Sequence, residues 1–298
     1  MARYLTVGNL LVEDVALPGG REALGRLGGD ALYAAIGARA FADDVQMAVR
    51  LGTGFPDELV HQLEGAGLAP GLIPSEEETV RLRVELGIEG GARFTFRSGT
   101  YVGATPIPHE IPPALTDDMD AVHVAPVPFE QMEALVRWAR PLARVLTVDP
   151  HYEHMHADWT AILPLVDAFL PSRTEAETLL GGWPGPDEAV RRLAELGART
   201  VVIKLATEGS VGLRGTELVR MPAATTRPVD PTGCGDAYCG GFLVGLAETD
   251  DLRTAMAQGT VAAGLVAGDH GAAHALAVDR GGARGRLRDF VRSATSTS

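Results

Sequence analysis

Two aspartates bracket a glycine-rich turn at Val229-Asp230-Pro231-Thr232-Gly233-Cys234-Gly235-Asp236-Ala237-Tyr238, and an apolar run, AYCGGFLVGLA, follows at once. Gly233 and Gly235 allow consecutive backbone amides to point into one concavity, because glycine accepts angles that other residues resist. A helix beginning near Asp236 adds free N–H groups and the positive end of its dipole. Such a place suits a phosphate, or a transition state with negative oxygens. A carboxylate beside it has one chemical use, accepting the proton of an attacking hydroxyl, since phosphoryl transfer needs positioning and charge stabilisation more than a strong base. The bland alternative for Asp236 is an acid capping the helix. A Walker A loop, GxxxxGK[ST], does not occur in the sequence.

The hydrophobic pattern supplies elements that could position this turn. Residues 3–8, 45–50, 121–125, 145–149, 167–171 and 201–205 read as strands, most of them apolar on both faces as buried parallel strands require. Residues 30–42, 57–66, 129–144, 187–197, 236–248 and 251–267 read as helices, with Gly67 and Gly197 as stops. The repeated alternation predicts an α/β fold, a mostly parallel sheet covered by helices on both faces. Residues 10–27 lack a helix signal, and 79–97 alternate apolar with polar residues around Gly90-Gly91. Both segments are expected in a small β-sheet projecting from a single 1–298 domain, a lid covering about 10–27 and 79–103. The tail from Gly281 is expected to fray.

With 298 residues, 46% hydrophobic and 22% charged, the composition is that of a globular protein. A net charge of −13 with scattered arginines argues against a nucleic-acid surface. Two cysteines, Cys234 and Cys239, give neither a disulfide framework nor a zinc motif. No signal peptide or membrane span is apparent, so the cytoplasm is the expected compartment. Of 26 lysines and arginines only Lys204 is a lysine, and Asn9 is the one asparagine. Codon bias explains the scarcity. Survivors then mark places where arginine cannot replace a compact ammonium.

The stretch DPTGCGDAYCGG resembles the C-terminal signature of the ribokinase/PfkB family of carbohydrate kinases, DTxGAGDxFxGG. Leu27-Gly28-Gly29-Asp30-Ala31 resembles that family's N-terminal GG signature, and Pro171-Ser172-Arg173-Thr174-Glu175 its NxxE segment with serine for asparagine. Lys204-Leu205-Ala206-Thr207-Glu208-Gly209 resembles the strand end and turn of its nucleotide site, with alanine for a usual glycine. The resemblance implies a three-layer α/β/α sandwich with a β lid. It implies ATP and magnesium as cofactors, and a sugar or related polyol as acceptor. Asp236 would be the general base, and the amides of Gly233, Cys234 and Gly235 the anion hole. Glu175 would organise magnesium through water. Ser172, Lys204, Ala206, Glu208 and Gly209 would line the nucleotide pocket, with Thr260 near adenine. Asp230 and Thr232 match positions that hold a monovalent cation such as potassium in some relatives, although Pro231 removes an N–H there. A homodimer through the lid is a further expectation, with neither nucleic acid nor membrane as partner.

On the acceptor side, Asn9, Glu13, Asp14, Gly28, Gly29 and Asp30 supply amides and acids suited to sugar hydroxyls. Asp30 could equally be a helix cap. Glu13 and Asp14 point to opposite sides of a strand, so one reaches the ligand, and Asp14 is the expected one. Phe94 and Phe96 share a face and could form a slot for a nucleoside base, which keeps nucleosides and inositols open as acceptors. A catalytically idle binding protein is the rival from another class. His151, His154 and His156 cannot share one face of a regular element, so a solvated loop is expected there ahead of one bordering the acceptor pocket, and either ahead of a metal site. His123, Trp138 and Trp159 read as core residues.

Overall fold

The computed structural model describes residues 2–17, 21–86, 92–277 and 279–295. The strands are β1 (Arg3–Gly8), β2 (Leu11–Leu17), β3 (Arg21–Gly28), β4 (Asp44–Thr53), β5 (Leu72–Glu78), β6 (Arg81–Leu86), β7 (Ala92–Ser98), β8 (Met119–Val124), β9 (Ala143–Val148), β10 (Ala168–Phe169), β11 (Thr200–Lys204), β12 (Ser210–Arg214) and β13 (Glu217–Met221). The helices are α1 (Asp30–Arg39), α2 (Asp57–Gly65), α3 (Tyr101–Ala104), α4 (Phe129–Ala139), α5 (Arg173–Leu180), α6 (Pro186–Ala194), α7 (Cys234–Thr249), α8 (Leu252–Val266), α9 (Ala273–Leu276) and α10 (Arg280–Thr295).

Among the described residues the large sheet runs β13-β12-β11-β10-β9-β8-β1-β4-β5. Its strands are parallel from β11 to β5, and β12 and β13 add an antiparallel edge. Strand alternation explains the apolar runs. Tyr4, Val45, Val145 and Val202 face a core shared with α1, α7 and α8, whereas Leu5, Val122, Leu146 and Val201 face a core shared with α4 and α6. The smaller sheet, β3-β2-β6-β7, buries Leu11, Val80, Leu82 and Ala104. Gly90-Gly91, where the hairpin turn was expected, lies outside the described residues. None of the described helices is long and apolar enough to cross a membrane.

Two expectations need correction. Helix α4 stops at Ala139 rather than near 144, because Pro141 cannot continue it and the Arg140 side chain binds the carbonyls of Leu165 and Ala143. The described part of the tail, to Thr295, is helical rather than frayed. It forms α10, whose Ala283, Leu287 and Phe290 recur at helical spacing and pack on the core beside α8. The arginines between them hid that stripe. The strands β5, β12 and β13 and the helix α5 were also not anticipated.

Helices α1, α7 and α8 approach one another through small residues. A Cβ on Gly240 would lie 1.8 Å from the Ala34 carbonyl oxygen, and one on Gly37 2.0 Å from that of Ala237. Gly240→Ala should therefore force α7 off α1 and destabilise the protein by about 1–3 kcal/mol. Thermal unfolding checks this; an unchanged midpoint would mean that the helices do not pack this closely.

Candidate active site

The site gathers where parallel strands end: Asn9 follows β1, Asp149 follows β9 and Lys204 closes β11. Opposite them the glycine turn starts α7. Gly233 is the residue before the helix, at φ 73°, and any side chain there would enter the Tyr33 ring, 2.2 Å from its nearest carbon. Asp236 lies in the first turn, and burial pushes its carboxyl well above the usual range, with Asp30 and Asp149 adding to the push and Lys204 opposing it. One part of the expected anion hole is corrected: the Cys234 amide donates to the Pro231 carbonyl at 3.2 Å. Among the described residues, the amides of Gly233 and Gly235 have no protein acceptor. The Cys234 thiol is pushed up to about 12 by burial and by Asp230 and Asp236, which leaves it an inert small side chain.

The acid side differs from expectation. Asn9 is fully buried, and its amide is used by the protein: Oδ1 accepts from the Asp30 amide (3.1 Å), while Nδ2 donates to Asp30 Oδ2 (2.8 Å) and the Pro126 carbonyl (3.1 Å). Asn9 thus positions Asp30 instead of offering itself to an acceptor. Asp30 is the first residue of α1 rather than its cap, and Gly29, at φ 119°, occupies the cap. Burial raises the Asp30 carboxyl to about 6 against the pull of the Asn9 bond. Glu13, not Asp14, faces this pocket. Glu13 is 3% exposed, lies under Gly28, and has an Oε2 without a partner. Burial, Asp30 and Asp230 raise its carboxyl to about 8. Asp14 turns the other way, and its Oδ1 accepts the Gly25 amide at 2.8 Å across the irregular β2–β3 pairing.

On the nucleotide side, Ser172 and Glu175 form a reciprocal capping box at the start of α5, Glu175 Oε2 accepting the Ser172 amide at 2.6 Å. Glu175 is raised to about 7 by burial and by Asp149. Lys204 Nζ pairs with Asp149 Oδ2 and lies 3.5 Å from Cys239 Sγ. Asp149 is 2% exposed and its Oδ1 has no partner. Ala206 stands at φ 52°, the left-handed region where a glycine is usual, which costs about 1–2 kcal/mol. Gly209, at φ 94°, admits no Cβ because the Met221 carbonyl would lie 2.0 Å away. Glu208 is exposed and pairs with Arg173 at 3.2 Å. Thr260 is buried in α8, and its hydroxyl donates to the Met256 carbonyl at 2.9 Å.

A hard divalent ion fits the donors here, since Glu175 and the unpartnered Asp149 Oδ1 are carboxylate oxygens. A monovalent cation fits poorly. Asp230 Oδ1 accepts the Thr232 amide at 2.9 Å, Oδ2 accepts the Gly271 amide at 3.2 Å, and His270 Nδ1 stands 3.6 Å away, so both carboxylate oxygens are already used by the protein and the Thr232 hydroxyl and His270 Nδ1 are left without a hydrogen-bond partner.

Four residues of this region were not anticipated: Tyr33, Tyr101, Asp149 and His151 as an aromatic partner. Tyr101 stacks edge-on with Phe96 (5.1 Å) and His151 (5.0 Å), and His151 lies 4.7 Å from the Tyr152 ring. Burial, with smaller contributions from Asp30 and Glu13, raises the Tyr101 hydroxyl above its usual range. The short turn Tyr152–His154 brings donor atoms of His151, Glu153 and His154 within 4.8 Å of one another, without His156. The His151 Nδ1 there already accepts the Glu153 amide at 3.3 Å. His123 is buried against Thr147, Trp159 is buried, and Trp138 packs on the core.

Crowded carboxyls have a consequence for stability. Glu13, Glu175 and Asp30 titrate near 8, 7 and 6 in the folded protein, against 4.5, 4.5 and 3.8 when unperturbed. The folded state therefore holds more protons than the unfolded chain, and stability falls as pH rises from about 4 to about 8. Glu13→Gln should flatten that slope in pH-dependent melting of the ligand-free protein. A slope unaltered by the substitution would contradict the buried placement of Glu13.

Comparison with known proteins agrees with this architecture. The chain is 27% identical over 271 residues to the cytidine kinase of Thermococcus kodakarensis, covering 85% of this chain and 91% of that protein. Ribokinase from Giardia lamblia superimposes with a TM-score of 0.79 at 19% identity, over 97% of this chain and 99% of that one. Ribokinase from Cryptococcus neoformans var. grubii serotype A, in complex with ADP, gives 0.75 at 19% identity over 96% and 100%. Residues 20–278 match the model of the pfkB family carbohydrate kinases, and the chain belongs to that family and is a kinase.

Proposed function

We propose that the protein transfers the γ-phosphoryl group of ATP to a primary alcohol of a carbohydrate, with Asp236 as general base. The observation that carries this reading is the carboxyl of Asp236 in the first turn of α7, next to the unpartnered Gly233 and Gly235 amides. Asp236 takes the hydroxyl proton as the acceptor oxygen bonds to the γ-phosphorus. The bond from that phosphorus to the bridging oxygen breaks, and its electron pair leaves with ADP. The Gly233 and Gly235 amides and the α7 dipole hold the charge on the transferring oxygens. Glu175 and Asp149 would hold a magnesium ion, which neutralises phosphate charge when bound. Residues Lys204–Gly209 form one wall for the nucleotide, with Gly209 allowing the close turn.

The acceptor lies between the acids and the small sheet. Glu13 and Asp30 face sugar hydroxyls, and Gly28 and Gly29 leave room for the ring. The small sheet acts as a lid that excludes water. A nucleoside is the second reading, favoured by the Phe96–Tyr101–His151–Tyr152 aromatic wall beside Asp30 and Glu13 and by the likeness to a cytidine kinase. Exposed Leu24, Phe94 and Phe96 on the lid suit pairing with a second copy. A cytoplasmic setting fits a kinase drawing on ATP.

Release of ADP from MgATP, measured against pentoses, hexoses, inositols and nucleosides, tests the reading. One acceptor class should give turnover, and Asp236→Asn should lower it roughly 10²–10⁴-fold. Full activity in the variant would remove Asp236 as the base. Nucleotide binding without turnover on any acceptor would favour the idle binding protein.

A further inference from the structure

The one lysine of the chain lies against the glycine turn. The three atoms closest to a Cβ built on Gly235 are Lys204 Nζ at 3.6 Å and Lys204 Cδ and Cε at 3.9 Å. The side chain therefore packs against Gly235 within the turn. It is 13% exposed, and Asp149 Oδ2 holds its ammonium from the opposite side. Cys239, one turn after Asp236 in α7, touches both partners: its Sγ lies 3.5 Å from Nζ and 3.3 Å from Asp149 Oδ2. Asp149 and Lys204 thus join the ends of β9 and β11 to the start of α7.

Charge gives the arrangement a purpose. Asp149, Glu175 and Asp236 all bear on Lys204, and Asp30 also feels it. A γ-phosphoryl group entering this pocket adds negative charge beside these acids, and an ammonium held by Asp149 next to Gly235 adds to the offset given by the two backbone amides and a bound magnesium ion. We propose that Lys204 binds the γ-phosphoryl oxygens beside the Gly233–Gly235 turn, and that Asp149 is the residue positioning it. Lys204 then recognises the transferring group rather than lining the nucleotide pocket in general. Arginine does not substitute, because a planar fork does not fit where a compact ammonium meets Gly235, Cys239 and Asp149 together. The inference rests on the kinase reading above.

The decisive measurement is titration calorimetry of the full chain with MgATP and with MgADP. Lys204→Met should weaken MgATP roughly 10-fold or more, as loss of a charge-assisted bond does, and change MgADP by less than about 2-fold. Lys204→Arg should behave like Lys204→Met. Asp149→Asn, which keeps the shape, should shift the ATP-to-ADP ratio in the same direction by a smaller factor, and it serves if Lys204→Met does not fold. Equal losses for both nucleotides, or none, would overturn the role at the γ-phosphoryl group while leaving a turning-over wild type as a kinase. Wild type that binds neither nucleotide would sink the kinase reading and this inference together.

Discussion

Close approach of α7 to α1 is the constraint on which the rest of the molecule depends. A base that receives a proton from an acceptor must stand within hydrogen-bond reach of it, and Asp30, one of the two acids proposed to face the acceptor, starts the other helix. Gly240 against Ala34 and Gly37 against Ala237 set the helix axes that close. Gly233 over the Tyr33 ring then sets the height of the turn. Both helix N-termini consequently open onto one pocket, and the carboxyls of Asp30 and Asp236 come within electrostatic range of each other. Their repulsion is tolerable only because packing elsewhere holds the helices; isolated helices would separate. The apolar cores on either face of the large sheet supply that restraint.

The same constraint explains why the pocket is poorly solvated and acid-rich at once. Burial raises the carboxyls of Glu13, Asp30, Glu175 and Asp236 together, as expected of acids gathered in one poorly solvated pocket. Glu13 Oε2, Asp149 Oδ1 and the Tyr33 hydroxyl are buried without partners. Each unpaired group is costly in the absence of ligand, by about 1–3 kcal/mol. Together with Ala206 at φ 52° they form a reservoir of local instability at the point of chemistry, in a protein whose cores are otherwise close-packed.

Much of the fold was legible because its signals are local. Buried parallel strands read as apolar runs, and the helix after Gly235 announced itself through two glycines and an acid. What escaped notice depended on distant partners. Strands β12 and β13 are short, with β13 at the sheet edge, and α10 is an arginine-rich helix whose core-facing Ala283, Leu287 and Phe290 matter only once it packs beside α8. In the site, Asp236 and Asp30 stood out by their places at helix starts, whereas Glu175 was expected only through the family resemblance. The choice between Glu13 and Asp14 could not be read from spacing, because the irregular β2–β3 pairing around Asp14 decides which face turns inward. Asp149 went unremarked since its significance comes from Lys204, 55 residues away. Tyr33 and Tyr101 looked like ordinary aromatics until the turn and the small sheet folded over them.

The two residues that are singular in this sequence clarify what the pocket demands. Asn9 must donate to Asp30 and accept from its amide at the same time, while a second donor reaches Pro126. Aspartate would add a further carboxylate and lose both donated bonds, and glutamine would overshoot by a methylene. Lys204 must carry positive charge between a glycine, a thiol and a carboxylate, with no room for a planar group. In each case the requirement is for a particular arrangement of donors in a space too small for the residue that codon bias prefers. Scarcity in the composition therefore points to geometry: where a type of residue has been kept once, the surrounding packing says why its substitutes fail.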